Sequence, residues 1–135
     1  MSIVLQPIGR IESPLRERDE APKQGDEGAP EAWLVFEQGF ADGIRDLRVG
    51  ADLLVLTWLD RARRDVLAVR PRGDATRPET GVFSTRSPDR PNPIGLHLVQ
   101  IVSIDGLRVL VRNLEALDGT PIVDVKPTLD RISER

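Results

Sequence analysis

Three prolines fall within six residues, Pro88, Pro91 and Pro93, inside the stretch GVFSTRSPDRPNPIGLHLVQ over residues 81–100. Each fixes its own φ, removes a backbone donor and pushes the residue before it toward an extended conformation. Residues 85–95 are therefore expected as a stiff, non-repetitive loop. A short β-prone run, Val82-Phe83-Ser84, precedes it, and Leu96, Leu98, Gln100, Val102 and Ile104 begin a strand alternation after it. The loop carries Arg86 and Arg90 with Asp89 between them, and Asn92 beyond. Two guanidinium groups and an amide on a rigid loop suit an anionic or richly hydrogen-bonding ligand. The plainer reading is a proline-stiffened crossover whose arginines pair with local carboxylates.

The rest of the chain arranges itself around that loop. Residues 3–11 (IVLQPIGRI) read as an N-terminal strand in which Gly9 marks a bulge or a close backbone approach. Residues 15–30 are polar and rich in breakers, a long loop holding Lys23, Gln24, Gly25 and Asp26. Residues 32–37 read as a strand. Phe40, Ile44 and Leu47 have the spacing of a short helix that Gly50 can end. The apolar run 53–59 (LLVLTWL) is expected as a central strand buried on both faces. A charged turn at 60–65, a strand from Val66 to Val69 and a polar connection at 74–80 lead into the organising loop. Asp105-Gly106 is the strongest hairpin signal, residues 107–111 return, residues 114–117 are ambiguous, and the turn Asp118-Gly119-Thr120-Pro121 precedes a strand at 122–125. Six or seven strands with one short helix make the chain mainly β. With no βαβ alternation and no Gly-rich dinucleotide turn, a Rossmann site is not supported, and a small single-domain β-barrel over residues 1–135 is the expected architecture.

Composition removes several chemistries. There is no cysteine and no tyrosine, and His97 is the single histidine. Disulfides, thiolate nucleophiles, Cys- or His-cluster metal sites and phenolic acid–base catalysis are excluded. No apolar run reaches membrane-spanning length and the N-terminus is not signal-like, so a cytoplasmic protein is expected. The net charge is −3, against a bulk electrostatic nucleic-acid binder but compatible with a local basic patch. Of 19 basic residues only Lys23 and Lys126 are lysines.

The motifs GVFSTRSPDRPNPIGLHLVQI and LDGTPIVDVKP, with IGRIESP and APKQG near the start, resemble the TrmO family (also called YaeB or TsaA-like) over nearly the full length. That family methylates N6 of threonylcarbamoyladenosine in tRNA, next to the anticodon, using S-adenosylmethionine. The resemblance implies a compact β-barrel and a homodimer with the cofactor near the subunit interface. Carried over motif by motif, the cofactor contacts would be Gln24, Gly25 and Asp26, then Asp60 and Arg61, Arg86, Leu96, and the turn Asp118, Gly119, Thr120 and Pro121. Asp124 and Lys126 are the charged candidates for catalysis. Arg90 and Asn92 are the candidates for holding substrate, and no metal is implied. Arginines at 61, 63, 64, 70, 72 and 77 could form an RNA-facing patch. The central strand ends Trp58-Leu59-Asp60-Arg61 where the family is often His-rich and aromatic, Thr128 replaces a frequent tyrosine, and a single domain without the C-terminal extension of longer members is expected. Two other readings stay open: a methyltransferase of this fold acting on another small acceptor, and a non-enzymatic S-adenosylmethionine-binding module.

Overall fold

The computed structural model describes residues 1–17 and 29–129. Gln24, Gly25 and Asp26 lie outside the described residues. In chain order the elements are β1 (Gly9–Glu12), β2 (Ala32–Phe36), α1 (Ala41–Ile44), β3 (Asp52–Trp58), β4 (Ala68–Val69), β5 (Thr80–Gly81), β6 (Ile94–Asp105), β7 (Arg108–Arg112) and β8 (Pro121–Pro127). Six of the strands close into a barrel in the order β1-β2-β7-β6-β3-β8, with β8 returning to β1, and every pairing is antiparallel. β4 and β5 form a two-stranded excursion of their own. Among the described residues no helix is long and apolar enough to cross a membrane.

The barrel interior is filled from alternate positions of each strand, as the pleat requires. Ile11, Leu34, Phe36, Leu53, Val55, Val99, Ile101, Val109, Val111 and Ile122 are all buried there, and Leu114 and Ala116 join them from the segment after β7. Gly9 is the close approach that the sequence marks: a Cβ there would stand 2.4 Å from the Val35 carbonyl oxygen of β2. Gly106, at φ 60, opens the β6–β7 turn. Gly50, at φ 91, does not end the helix, which stops at Ile44 with Arg45 as its C-cap; it sits in a separate turn before β3, short of which Leu47 N–H still reaches the Ile44 carbonyl.

Four sequence expectations change. The first strand begins at Gly9 rather than Ile3, and Ile3, Val4 and Leu5 are exposed. Pro7 has no N–H, so pairing starts one residue later, where Ile8 donates to the Ile122 carbonyl. β3 is not buried on both faces. A closed barrel has one interior, so Leu53, Val55 and Thr57 point in while Leu54, Leu56 and Trp58 are left half-covered outside. The strand expected at 66–69 shortens to its last two residues. Val82-Phe83-Ser84 is a single 3-10 turn rather than a strand, because the Thr85 N–H and hydroxyl both turn back to donate to the Val82 carbonyl.

Candidate functional site

The antiparallel ring brings the singled-out loops to one barrel end. The pairs Glu12↔Trp33, Arg10↔Pro121, Ala32↔Val111 and Trp58↔Ile94 place there the exit of β1, the entries to β2, β6 and β8, and the exits of β3 and β7. Asp60 and Arg61, the loop 86–92 and the turn 118–121 therefore share that end. The β6–β7 hairpin occupies the other.

The late turn is tied to the end of β1. The Asp118 carboxylate accepts the Ser13 N–H at 3.0 Å and stands 3.4 Å from the Arg16 guanidinium. Asp118 N–H donates to the Leu15 carbonyl, Gly119 N–H to Ile11, and Thr120 N–H and hydroxyl to Leu117. Pro121 pairs with Arg10. Three successive turn donors are thus occupied within the fold, and the carbonyls of Asp118 and Gly119 accept from no backbone donor among the described residues. Gly119 has φ 85, and a Cβ there would meet nothing within 4 Å, so space stands open beside it. An open groove of about 590 Å³ lies along Arg10, Glu12, Trp33 and this turn.

The central loop is braced from inside. Arg90 donates from Nε to the Ser87 carbonyl at 2.8 Å and from Nη2 to the carbonyls of Val82 and Thr85. The charged turn after β3 clamps the same loop. Asp89 accepts the Arg63 N–H at 2.9 Å, and Arg64 lies over the Trp58 ring while donating to the Pro91 carbonyl and the Asn92 side-chain oxygen. Arg61 donates to the Arg16 carbonyl. Arg63 also holds Asp65; that hydrogen bond keeps the Asp65 carboxyl below its ordinary pKa and raises that of Arg63. Arg86 and Asp60 are exposed, and neither makes a hydrogen bond or ion pair with the described residues.

Beyond this loop the outer surface of β8, β3 and β6 forms two rows across the sheet. Asp124, Leu56 and Leu96 make one; Lys126, Leu54 and Leu98 make the next. Ile94, Leu96 and Leu98 are exposed, about half of the Leu98 surface among them. Asp124 and Lys126 pair with each other at 3.0 Å on the edge of this apolar face, both well exposed. They form no buried network with Arg90, whose Nε and Nη2 face the carbonyls of its own loop. The barrel thus gathers Leu96, Asp124 and Lys126 on one face and Asp60, Arg61, Arg86, Arg90, Asn92 and residues 118–121 at the adjoining end.

One polar arrangement escaped the sequence reading. His97 is buried inside the barrel, with Nε2 2.7 Å from the Thr57 hydroxyl and Nδ1 2.6 Å from the Glu115 carboxylate. With Glu115 ionised, Nδ1 carries a proton; Nε2 then accepts from the Thr57 hydroxyl when the ring is neutral and donates to its oxygen when the ring is charged. Gly95 makes room for it, since a Cβ there would stand 2.4 Å from the Thr57 hydroxyl and 2.7 Å from Nε2. The signal was the second phase of the β6 alternation, Gly95-His97-Val99-Ile101, set against the leucine phase. Thr57 is fully buried, so the trio ties the 113–117 segment to β3 and β6 rather than meeting a ligand.

The family model described as the tRNA-methyltransferase O N-terminal domain matches residues 10–133. An S-adenosyl-L-methionine-binding protein of Archaeoglobus fulgidus is 40% identical over 135 residues, covering 98% of this chain and 96% of that protein. A probable S-adenosyl-L-methionine-binding protein of Methanothermobacter thermautotrophicus is 42% identical over 132 residues, covering 98% and 94%. The crystal structure of TrmO from Pseudomonas aeruginosa superposes on all of this chain with a TM-score of 0.75 and 26% identity, and this chain spans 61% of that one. The match runs from β1 through β8 and takes in the central loop, the late turn and the apolar outer face, so the chain belongs to the family of the tRNA-methyltransferase O N-terminal domain.

Proposed function

We propose that this chain is an S-adenosylmethionine-dependent methyltransferase that methylates N6 of threonylcarbamoyladenosine beside the tRNA anticodon, working as a homodimer. The observation that carries the reading is that a guanidinium unpaired among the described residues and an open glycine turn share one barrel end, with an exposed leucine wall on the adjoining face. These residues fit the cofactor's chemistry. Arg86 offers a free fork for a carboxylate, Leu96 with Leu56 offers an apolar wall, and the Asp118 and Gly119 carbonyls can accept from an adenine amino group. Gln24, Gly25 and Asp26 are assigned to the same site by motif alone.

The sulfonium of the cofactor supplies a methyl carbon already activated for transfer. What the chain must add is alignment, and orientation of this kind contributes at most about 7–11 kcal/mol. Asp124 takes or directs the proton that the acceptor nitrogen gives up, and Lys126 holds that carboxylate in place at 3.0 Å. Asn92, already oriented by Arg64, presents its amide to the acceptor. Arg90 acts on substrate through the loop it braces. The occupant assigned to the exposed Leu96–Leu98 face is a second copy of this chain, which would cover the leucines and close the site.

The test is calorimetric titration with S-adenosylmethionine of the unaltered chain and of Arg86→Ala, followed by methyl transfer to tRNA carrying the threonylcarbamoyl group. Saturable binding that the variant loses, with transfer to the modified tRNA, is the expected result. Binding without transfer to any tRNA would favour a second reading, an S-adenosylmethionine-binding module. The names of the archaeal relatives, which state binding and no transfer, are the observation on its side.

A further inference from the structure

Phe83 is one of five aromatic residues in the chain, and it is 79% exposed. Phe36 is buried, and Phe40, Trp33 and Trp58 are partly covered. The exposure is not a frayed end. Val82 beside it is fully buried, its carbonyl accepts from the Thr85 N–H, the Thr85 hydroxyl and Arg90, and its own N–H donates to Leu67. With Val82 pinned inward by these bonds, the neighbouring ring is held outward, and Leu67, whose carbonyl Val82 meets, is exposed as well. Between residues 60 and 92 there are eight arginines against five carboxylates, in a chain whose total charge is −3. Arg61, Arg64, Arg70 and Arg90 rest on carbonyl or amide oxygens, which fix a guanidinium without neutralising it. An outward ring on a rigid turn within a locally positive region is what stacking on an unpaired base beside a phosphate chain requires.

We propose that Phe83 is the platform on which an unpaired base of the RNA substrate stacks, with the arginines of residues 60–92 supplying the phosphate attraction. The inference rests on the tRNA reading above and adds a residue and a mode of contact to it. The ring binds the RNA strand, not the cofactor and not a second copy of the chain.

The experiment measures affinity for a hairpin RNA with an unpaired loop and for a blunt duplex of the same stem, using the unaltered chain, Phe83→Ala, Phe83→Leu and Phe83→Trp. Sedimentation and S-adenosylmethionine calorimetry are run on each protein. Loss of a stacked base weakens binding about tenfold or more. That loss is expected for the hairpin in both the alanine and the leucine variant, with the duplex little changed, the tryptophan variant retaining affinity, and association and cofactor binding unaltered. Hairpin affinity kept by the alanine variant, or fully restored by leucine, overturns the stacking role. A changed association state assigns the ring to a subunit contact, and a parallel loss of cofactor affinity assigns it to the cofactor pocket; either overturns it as well. If the unaltered chain binds neither RNA, the tRNA reading itself falls and this inference with it, an outcome distinct from a failure confined to Phe83.

Discussion

The barrel has two unlike sides. Over β1, β2 and β7 the outer surface is finished for water. Glu12 pairs with Arg108 at 2.8 Å and with Arg10 at 3.3 Å, and Arg108 lies 4.8 Å from the centre of the Trp33 ring. Beneath it the interior is wholly apolar, with Ile11, Leu34, Val109 and Val111. Over β3 and β6 the outer surface differs. Leu54, Leu56, Ile94, Leu96 and Leu98 face outward, and the interior beneath them adds the polar pair Thr57 and His97 to Leu53, Val55, Val99 and Ile101. Contiguous exposed leucines are uncommon on soluble monomers and mark an interaction surface. One side of the barrel is dressed with its own charged and aromatic side chains; the other leaves a row of leucines uncovered.

The largest expected effect follows from that difference. Leu98→Asp should abolish self-association while leaving the barrel folded, because facing copies of one surface would bring like charges together at a cost of several kcal/mol. Val35→Asp, on the finished side, should leave association unchanged. Sedimentation equilibrium compares them. A monomeric unaltered chain, or a dimer indifferent to Leu98→Asp, would break the comparison.

The interior polar trio comes next. Glu115→Ala strips the acceptor from the His97 Nδ1–H in a buried setting and should cost about 1–3 kcal/mol. Glu115→Gln keeps an acceptor oxygen and should cost less. Urea unfolding measures both. Equal stability of the alanine variant and the unaltered chain would show that water replaces the carboxylate and that this side of the interior is not sealed.

How much of this was legible in the sequence depends on which force acts locally. Backbone chemistry was readable. Gly9 and Gly106 occupy the approach and turn positions that only glycine fills cheaply, and the proline loop holds no regular element, as its prolines require. Hydrophobicity was readable as strands but not as direction. LLVLTWL looks doubly buried, and the β6 alternation marks two faces without saying which lies inside. Closure of the ring decides instead that the leucine phase faces out and the phase containing Gly95 and His97 faces in. Pro7 and the Thr85 hydroxyl, single local groups, moved the ends of β1 and turned 82–84 from strand to 3-10 turn. In the site, motif matching found the loops that the barrel brings to one end. It could not distinguish Arg86, without a partner among the described residues, from Arg90, turned into its own loop, because the two are chemically identical until the backbone around them is placed.

On the finished side, Arg108→Ala removes a ring contact and a part-exposed ion pair. The expected loss is roughly 0.5–1 kcal/mol, smaller in high salt. The same unfolding assay in low and high salt checks it, and a loss independent of salt would assign the effect to packing on Trp33 instead.

The smallest effect separates two ways of holding an arginine in the excursion. Arg64 and Arg90 rest on neutral oxygens, whereas Arg63 donates to the Asp65 carboxylate, which lowers the Asp65 pKa. A carboxylate whose pKa is lower folded than unfolded adds stability that is present above its unfolded value, near 4. That stability disappears as the pH falls through the lower folded value. Asp65 is fully exposed, so the gain is slight and is best read at the residue itself. In a carboxyl-resolved NMR titration, Arg63→Ala should bring the Asp65 midpoint back up toward the ordinary value. Asp74 should stay low in both proteins, because the Thr76 hydroxyl and N–H hold it there. An Asp65 midpoint that ignores Arg63 would mean that the guanidinium is not committed to this carboxylate in solution, and Arg63 would then join Arg64 and Arg90 as charge available to an anionic strand.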